Sequence, residues 1–361
     1  RQKTSNRGIE LSVNVDVINK GDFRFNVGAI YNYNRNKLDE LPNADQYLYS
    51  SYWGSSSLVP TNDYMFVEGK AIGLVRGFIS EGYYTVDDFN YTNGQYVLKE
   101  GVPDITKALT ATYMHPYDLP AGQTAFPGAA KFRDVDESGT VDLDDATCLG
   151  EVMPRHTGSF QLNFNYKNFD LSTNFNWTAG GKVYNVAAMI NASGQEFDGI
   201  GAQRASWVAD AFKVYNVNAA GDLYAVTNPD ELRALNANAK YHLPYHQSGI
   251  TSSEWLENGS YLRLQTLTLG YTLPKNWLAK VHVDKIRLYL TATNLFTITG
   301  YSGIDPEVNA NPTGQSGFYS DLRIFPTLNM DFGTYPRART FTFGANICLL
   351  YTSPSPRDPK T

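Results

Sequence analysis

The sequence predicts an all-β protein, a partial transmembrane antiparallel β-barrel with long extracellular loops on one rim. Seven stretches alternate apolar and polar residues with the period of two that places the two sets on opposite faces of a strand. The polar set is mostly uncharged amide and hydroxyl, which suits a water-filled lumen, whereas a strand facing bulk water usually carries Lys, Glu and Arg. The connections alternate strictly between short turns and long loops. An up-and-down barrel with small turns on one rim requires that alternation, and a Greek-key sandwich does not.

In the first stretch Ile9, Leu11, Val13, Val15 and Val17 alternate with Glu10, Ser12, Asn14 and Asp16. Asn19-Lys20-Gly21-Asp22 turns the chain, and Phe23, Phe25, Val27, Ala29, Tyr31 and Tyr33 resume the alternation. From Asn36 to His156 the pattern is lost amid Gly, Pro, Asn and Tyr. An irregular segment of that length counts against a compact soluble domain, but barrels carry such loops.

The clearest hairpin runs from Gly158 to Trp177. Phe160, Leu162, Phe164 and Tyr166 alternate with Gln161, Asn163 and Asn165; Lys167-Asn168 is a tight turn; then Phe169, Leu171, Phe175 and Trp177 oppose Asp170, Ser172, Asn174 and Asn176. Each arm has about the 9 to 11 residues that a tilted membrane strand needs, and Tyr166 and Trp177 stand at strand ends, where interfacial aromatics belong. Taken alone, this hairpin fits a soluble antiparallel sheet equally well; the ordered set of turns and loops separates the two.

A second irregular stretch, 179–259, contains a short helix near Pro229 to Ala234. Tyr261 to Leu273 is the next strand. Its apolar phase changes from Leu262 and Leu264 to Leu267, Leu269 and Tyr271, which predicts a bulge near Gln265. Pro274 to Asp284 turns the chain, Ile286, Leu288, Leu290 and Ala292 form the return strand up to Phe296, and a third long loop leads to Phe341, Phe343, Ala345 and Ile347.

Charged residues make up only 18% of the chain and aromatics 14%, a balance closer to a porin-like wall than to a soluble enzyme. A net charge of -6 without any Lys/Arg run argues against nucleic-acid binding. No apolar run reaches the 18 or so residues of a membrane helix, which says nothing against a barrel. Cys148 and Cys348 form no CxxC pair. The chain opens at RQKTSNRGIE with neither an initiator Met nor a signal peptide, and seven strands are too few to close a barrel around such loops, so it reads as a fragment.

Five ordered blocks carry a family resemblance: SNRGIELSVNVDVI, FRDVDESGTVDLDDATCLGEVMPRHTGSFQLNFNYKNFDLSTNF, YLRLQTLTLGYTLP, IRLYLTATNLFTITGYSGIDPEVN and YPRARTFTFGANI. From about Thr4 to Ile347 the chain resembles the C-terminal half of SusC/RagA-type TonB-dependent outer-membrane transporters. The resemblance implies that these are about the last seven strands of a 22-stranded barrel around an N-terminal plug. It further implies import of glycans or peptides across the outer membrane of a Gram-negative bacterium, a SusD-like surface lipoprotein as lid, and energy from the TonB complex. The plug and the TonB box are not in this stretch of sequence, so residues 1–350 read as a barrel fragment that does not by itself perform energised transport. Residues 351–361 read as a non-native Pro-rich tail, because Pro354, Pro356 and Pro359 cannot continue a ladder.

Asp134 to Asp145 has the spacing of a calcium loop, with oxygen donors Asp134, Asp136, Ser138, Asp142 and Asp145, the backbone carbonyl of Thr140, and Gly139 for the sharp turn. Asp145 stands where a longer Glu is usual. The bland alternative is a solvated acidic turn held by Asx bonds. Tyr47, Tyr49, Tyr52 and Trp53 in the first long loop, with Trp207 and Trp255 in the second, are candidates to stack on sugar rings, against ordinary loop packing. His242 and His246 have helical spacing, yet Pro244 intervenes and no HExxH glutamate accompanies them. No Walker loop, nucleophile elbow or other catalytic motif appears, so the chain is not expected to be an enzyme. The competing reading is a secreted, soluble β-rich carbohydrate-binding protein with a calcium loop.

Overall fold

The computed structural model describes all residues except 1, 43–44, 52–57, 111–114, 194–204, 244–248, 279–282, 309–327 and 350–361. The expected tail, 351–361, therefore lies outside the described residues, as do Tyr52, Trp53 and His246.

Seven long strands form one sheet: β1 (Lys3–Lys20), β2 (Phe23–Glu40), β3 (His156–Tyr166), β4 (Phe169–Ala179), β5 (Tyr261–Thr272), β6 (Val283–Thr299) and β7 (Thr340–Leu349). Their order in the sheet is their order in the chain, and every neighbouring pair is antiparallel. The sheet is thus an up-and-down meander. The short turns after β1, β3 and β5 lie at one end, and the three long connections leave from the other.

Register shows why the two faces differ. One row crosses all seven strands as Ile18, Phe25, Phe164, Leu171, Leu269, Leu290 and Phe343, with Phe25 and Phe164 stacked at 4.3 Å. The adjacent row on the other face runs Asp16, Asn26, Asn163, Ser172, Thr268, Thr291 and Thr342. Its members bond sideways: Asn26 donates to Asp16 (2.9 Å), Ser172 to Asn163 (2.6 Å), and Thr268 pairs with Thr291 (3.0 Å). Such cross-strand pairs are what hold a sheet in register.

Bulges keep the rows continuous. The expected one falls at Gln265: Leu267 faces Thr173 while Leu264 faces Phe175, so the skipped residue returns Leu262 and Leu264 to the apolar face. Opposite it, β6 carries its own irregularity, with Asn294 at φ +51°, a conformation Asn tolerates better than most residues. In β1 the expected phase through Val17 is corrected. A shift between Asp16 and Ile18 makes Val17 the extra residue, and Ile18 takes the place opposite Phe25.

On the polar face near the short turns, Arg287 on β6 reaches across β5 to Asp170 on β4, with Nε donating to Oδ1 at 2.9 Å. Gly270 lies between them, and a Cβ there would sit 2.5 Å from the guanidinium. The missing side chain is what lets the pair close over the strand.

The long connections are folded rather than irregular throughout. A four-stranded sheet (147–151, 74–77, 64–67, 46–49) and smaller ladders surround two hydrophobic cores. The first core includes Tyr84, Tyr96 and Phe126, the second Tyr64, Tyr184 and Met189. The abundant tyrosines are the reason these loops can fold. Their rings supply buried area while several hydroxyls find partners: Tyr84 donates to the Pro103 carbonyl (2.6 Å), Tyr96 to Thr227 (2.8 Å) and Tyr64 to Leu328 (3.0 Å). The helix expected near Pro229 is present as Pro229–Leu235, capped by Asn228, whose side chain accepts from the backbone N–H groups of Asp230 and Glu231.

Candidate functional site

The long-loop rim holds both sets of candidate residues. The acidic loop follows the strand Ala130–Phe132, which pairs with Ser80–Tyr83, and its far side, Thr140–Val141, pairs in parallel with Asp104–Ile105. Gly139 adopts φ +87°, as the sharp turn demands. Asp134 accepts from the backbone N–H of Ser138 (3.1 Å) and Gly139 (2.7 Å), and Asp136 accepts from Ser138 (3.0 Å). That backbone bond holds the Asp136 carboxyl below its ordinary range. Asp145 is fully buried and takes backbone N–H bonds from Val135, Asp136 and Asp142.

Carboxylate oxygens of Asp134, Asp136 and Asp145 lie within 4.8 Å of one another. Two ligands of one Ca²⁺ at about 2.3–2.6 Å stand at most roughly 5 Å apart, so this spacing fits one ion. Asp142 does not join them. Its side chain accepts from Asp144 N (2.8 Å) and caps the short 3₁₀ turn Leu143–Asp145. Ser138 and Thr140 are also engaged with each other, the Ser138 hydroxyl donating to the Thr140 carbonyl at 3.0 Å. The loop is thus held by its own Asx-type bonds, and three carboxylates, not four, converge.

The aromatic candidates divide. Tyr47 is exposed on the strand Gln46–Tyr49. Tyr49, Trp207 and Trp255 are packed into the second core, which corrects the expectation of free stacking faces. Tyr49 lies against Phe66 (4.8 Å) and Tyr64 (5.6 Å), and Trp207 stacks on Tyr241 at 5.0 Å and 17°. Large rings gain most from burial against other apolar side chains, which Leu58, Phe66 and Met189 supply here.

Trp207 and Trp255 nevertheless border a cavity of about 230 Å³, together with Tyr241, Glu254, Glu257 and Ser302. Sequence pattern carries no sign of it, because its walls come from five separate segments. A second, more open cleft of about 490 Å³ lies between the hairpin 89–98 and Pro229, with Arg233 bound to Asp87 (2.9 Å) at its edge. His242 is buried beside the first cavity. Its Nδ1 lies 2.8 Å from the Leu243 carbonyl, and burial pushes its pKa down to about 4. It therefore serves packing, and no second histidine joins it among the described residues.

Where β5 meets the loops, Arg263 is buried on the polar side of the sheet. Its guanidinium binds Asp305, Glu307 (2.9 Å) and the Thr297 hydroxyl (3.0 Å), and Arg337 reaches Glu307 from the other side (2.8 Å). This cluster ties the segment after β6 to the sheet.

No protein-family profile matches the chain. It is 29% identical over 343 residues to TonB-dependent receptor P3 of Formosa agariphila, covering 95% of this chain and 28% of that protein. TonB-dependent receptor SusC of Bacteroides thetaiotaomicron is 23% identical over 351 residues, covering 95% and 26%. Among solved structures, the RagAB peptide transporter superposes with a TM-score of 0.60 at 20% identity, over 96% of this chain and 29% of that one. The chain spans little more than a quarter of the length of these relatives. Nearly its whole length is similar to SusC/RagA-type TonB-dependent receptors, and it has the β-rich fold of such transporters.

Proposed function

We propose that the chain is the C-terminal barrel portion, about the last seven of 22 strands, of an outer-membrane importer that takes up a glycan or an oligopeptide, with residues 1–350 forming that portion. One observation carries the reading: the apolar row is unbroken across seven strands yet uncovered. Leu269 is 45%, Leu290 43% and Phe343 73% exposed. A soluble sheet buries such a face under a second layer, and an apolar patch of this extent marks a surface meant for another phase, here lipid. The polar row then lines a lumen, and the folded loops stand on the outer rim. A SusD-like lipoprotein would cover that rim, and TonB would couple through a region outside this chain; likeness to SusC and RagAB supports both.

The test is cysteine accessibility in the full-length protein in outer-membrane vesicles, in a background lacking Cys148 and Cys348. Asn174→Cys should react with a small membrane-impermeant maleimide, and Phe175→Cys should not. Equal labelling at these adjacent positions would exclude a sheet with one lipid face and favour the soluble reading.

We also propose that Asp134, Asp136 and Asp145 hold one structural calcium ion. Three hard oxygen donors converge there without a Lys or Arg in ion-pair contact among the described residues, and a cation relieves their mutual repulsion. Asp134→Ala combined with Asp136→Ala should abolish a calorimetric calcium site in the full-length protein and lower its thermal stability. If both binding and stability stay unchanged, the Asx bonds alone hold the loop. Asp142→Asn should leave calcium affinity nearly intact, since that side chain serves the 3₁₀ turn.

A further inference from the structure

The cavity behind Trp207 has a chemistry of its own. Its walls come from the helix Ala205–Asp210 (Trp207), from Tyr241, from the 3₁₀ turn Ser253–Trp255 (Glu254, Trp255), from Glu257 and Ser302, and from the helix Val186–Ser193. Ala188 and Ala192 stand one turn apart on that last helix, and their small side chains leave the space open. Among the described residues three aromatic rings and two carboxylates line it, and no Lys or Arg does.

The two glutamates are not equivalent. Glu257 is fully engaged, accepting from Asn185 Nδ2 (2.7 Å), Ser302 Oγ (2.6 Å) and Ser302 N (2.7 Å). Glu254 has no such partners among the described residues. The nearest basic group is His242 Nε2 at 3.8 Å, and that imidazole is kept neutral by burial. Burial likewise pushes the Glu254 carboxyl up to about 7, the behaviour of an acid that lacks a cation. On the same wall the indole N–H of Trp207 is buried with no hydrogen-bond partner among the described residues. An acceptor carried next to a bound cation would relieve that cost.

We propose that this cavity binds a primary ammonium group, with Glu254 as its counter-ion and Trp207, Tyr241 and Trp255 as its aromatic walls. Aromatic rings around one carboxylate are the arrangement that attracts an organic cation. A divalent metal would want six or more oxygens, and one unengaged carboxylate does not supply them. An uncharged ligand would leave the Glu254 carboxylate without a counter-charge. The same ammonium chemistry occurs in an aminosugar and in a peptide amino terminus. The inference holds whether or not the sheet lies in a membrane.

Propylammonium chloride titrated into the full-length protein should give a saturable change in indole emission that is reduced in Trp207→Phe, where Trp255 is the remaining indole of the cavity. The uncharged N-acetylated counterpart, N-propylacetamide, at matched ionic strength, should give none. Glu254→Gln, which keeps shape and removes charge, should weaken binding about tenfold or more, equivalent to roughly 1.4 kcal/mol. Glu254→Asp should lose less. Glucosamine against N-acetylglucosamine, and glycylglycine against its N-acetyl form, identify the source by which free amine competes with propylammonium. An equal response to the neutral amide, a Glu254→Gln protein that binds like the parent, or no saturable response in the parent would each overturn the assignment. The wild-type comparison of amine with amide needs no variant to fold.

Discussion

Arg263→Met should destabilise the full-length protein by about 3 to 5 kcal/mol, the usual cost of removing one partner from a buried ion pair. The guanidinium is enclosed and makes three separate contacts, to Asp305, Glu307 and Thr297. Methionine fills much of the volume but leaves Asp305, itself only 7% exposed, with Arg337 Nε at 3.8 Å as its remaining cation. The loss should therefore fall on the segment 301–308 first. Urea unfolding in detergent would measure it, and hydrogen exchange would show that segment opening before the sheet. Arg263→Lys should recover little, since an ammonium cannot span three acceptors in a fixed fork. Adding Asp305→Asn to Arg263→Met should restore part of the loss by removing the unpaired charge. An Arg263→Met protein as stable as the parent would show that the cluster is solvated and contributes nothing.

The second large effect separates the two faces of β4. Phe175→Arg places a charge in the middle of the apolar face and should cost about 2 to 4 kcal/mol in a refolded bilayer-inserted protein. Asn174→Arg, one residue away at nearly the same depth, should cost less than about 1 kcal/mol, because it points to the lumen. Leu171→Arg, nearer the short-turn end, should fall between them. The comparison is internal to one strand, so differences in folding yield cancel. Equal costs at 174 and 175 would mean that neither side of the sheet meets lipid.

The same rows show where local pattern suffices and where it stops. The bulge at Gln265 was readable because Leu262 and Leu264 fall out of phase with Leu267 and Leu269, and one skipped residue is the only way to return them to a common face. Val17 carried the opposite signal. It continues the alternation of Val13 and Val15, yet pairing with β2 makes it the extra residue, because Ile18 and not Val17 lies opposite Phe25. Register across strands outweighed period along one strand.

The loops were the less legible part. Asp142 occupies a ligand position by spacing, but the 3₁₀ turn after it offers a backbone N–H that the side chain takes instead. Tyr49, Trp207 and Trp255 were visible as aromatics, and nothing nearby in sequence says that Phe66 or Tyr241 will cover them.

By itself the sequence determined the seven strands, their faces, the split into short turns and long loops, and the acidic loop with its turn at Gly139. Each of these follows from contacts between residues close in the chain, or from the solvent each face meets, and such preferences repeat every second residue. Only the tertiary structure decided the buried tyrosine cores, the Arg263 cluster, the closure of Arg287 and Asp170 over Gly270, and the Trp207 cavity. Those depend on which of several similar side chains meet across 19 residues of chain, as for Tyr84 and Pro103, to 264, as for Tyr64 and Leu328, and burial and ion pairing are properties of proximity in space, which a local pattern does not encode.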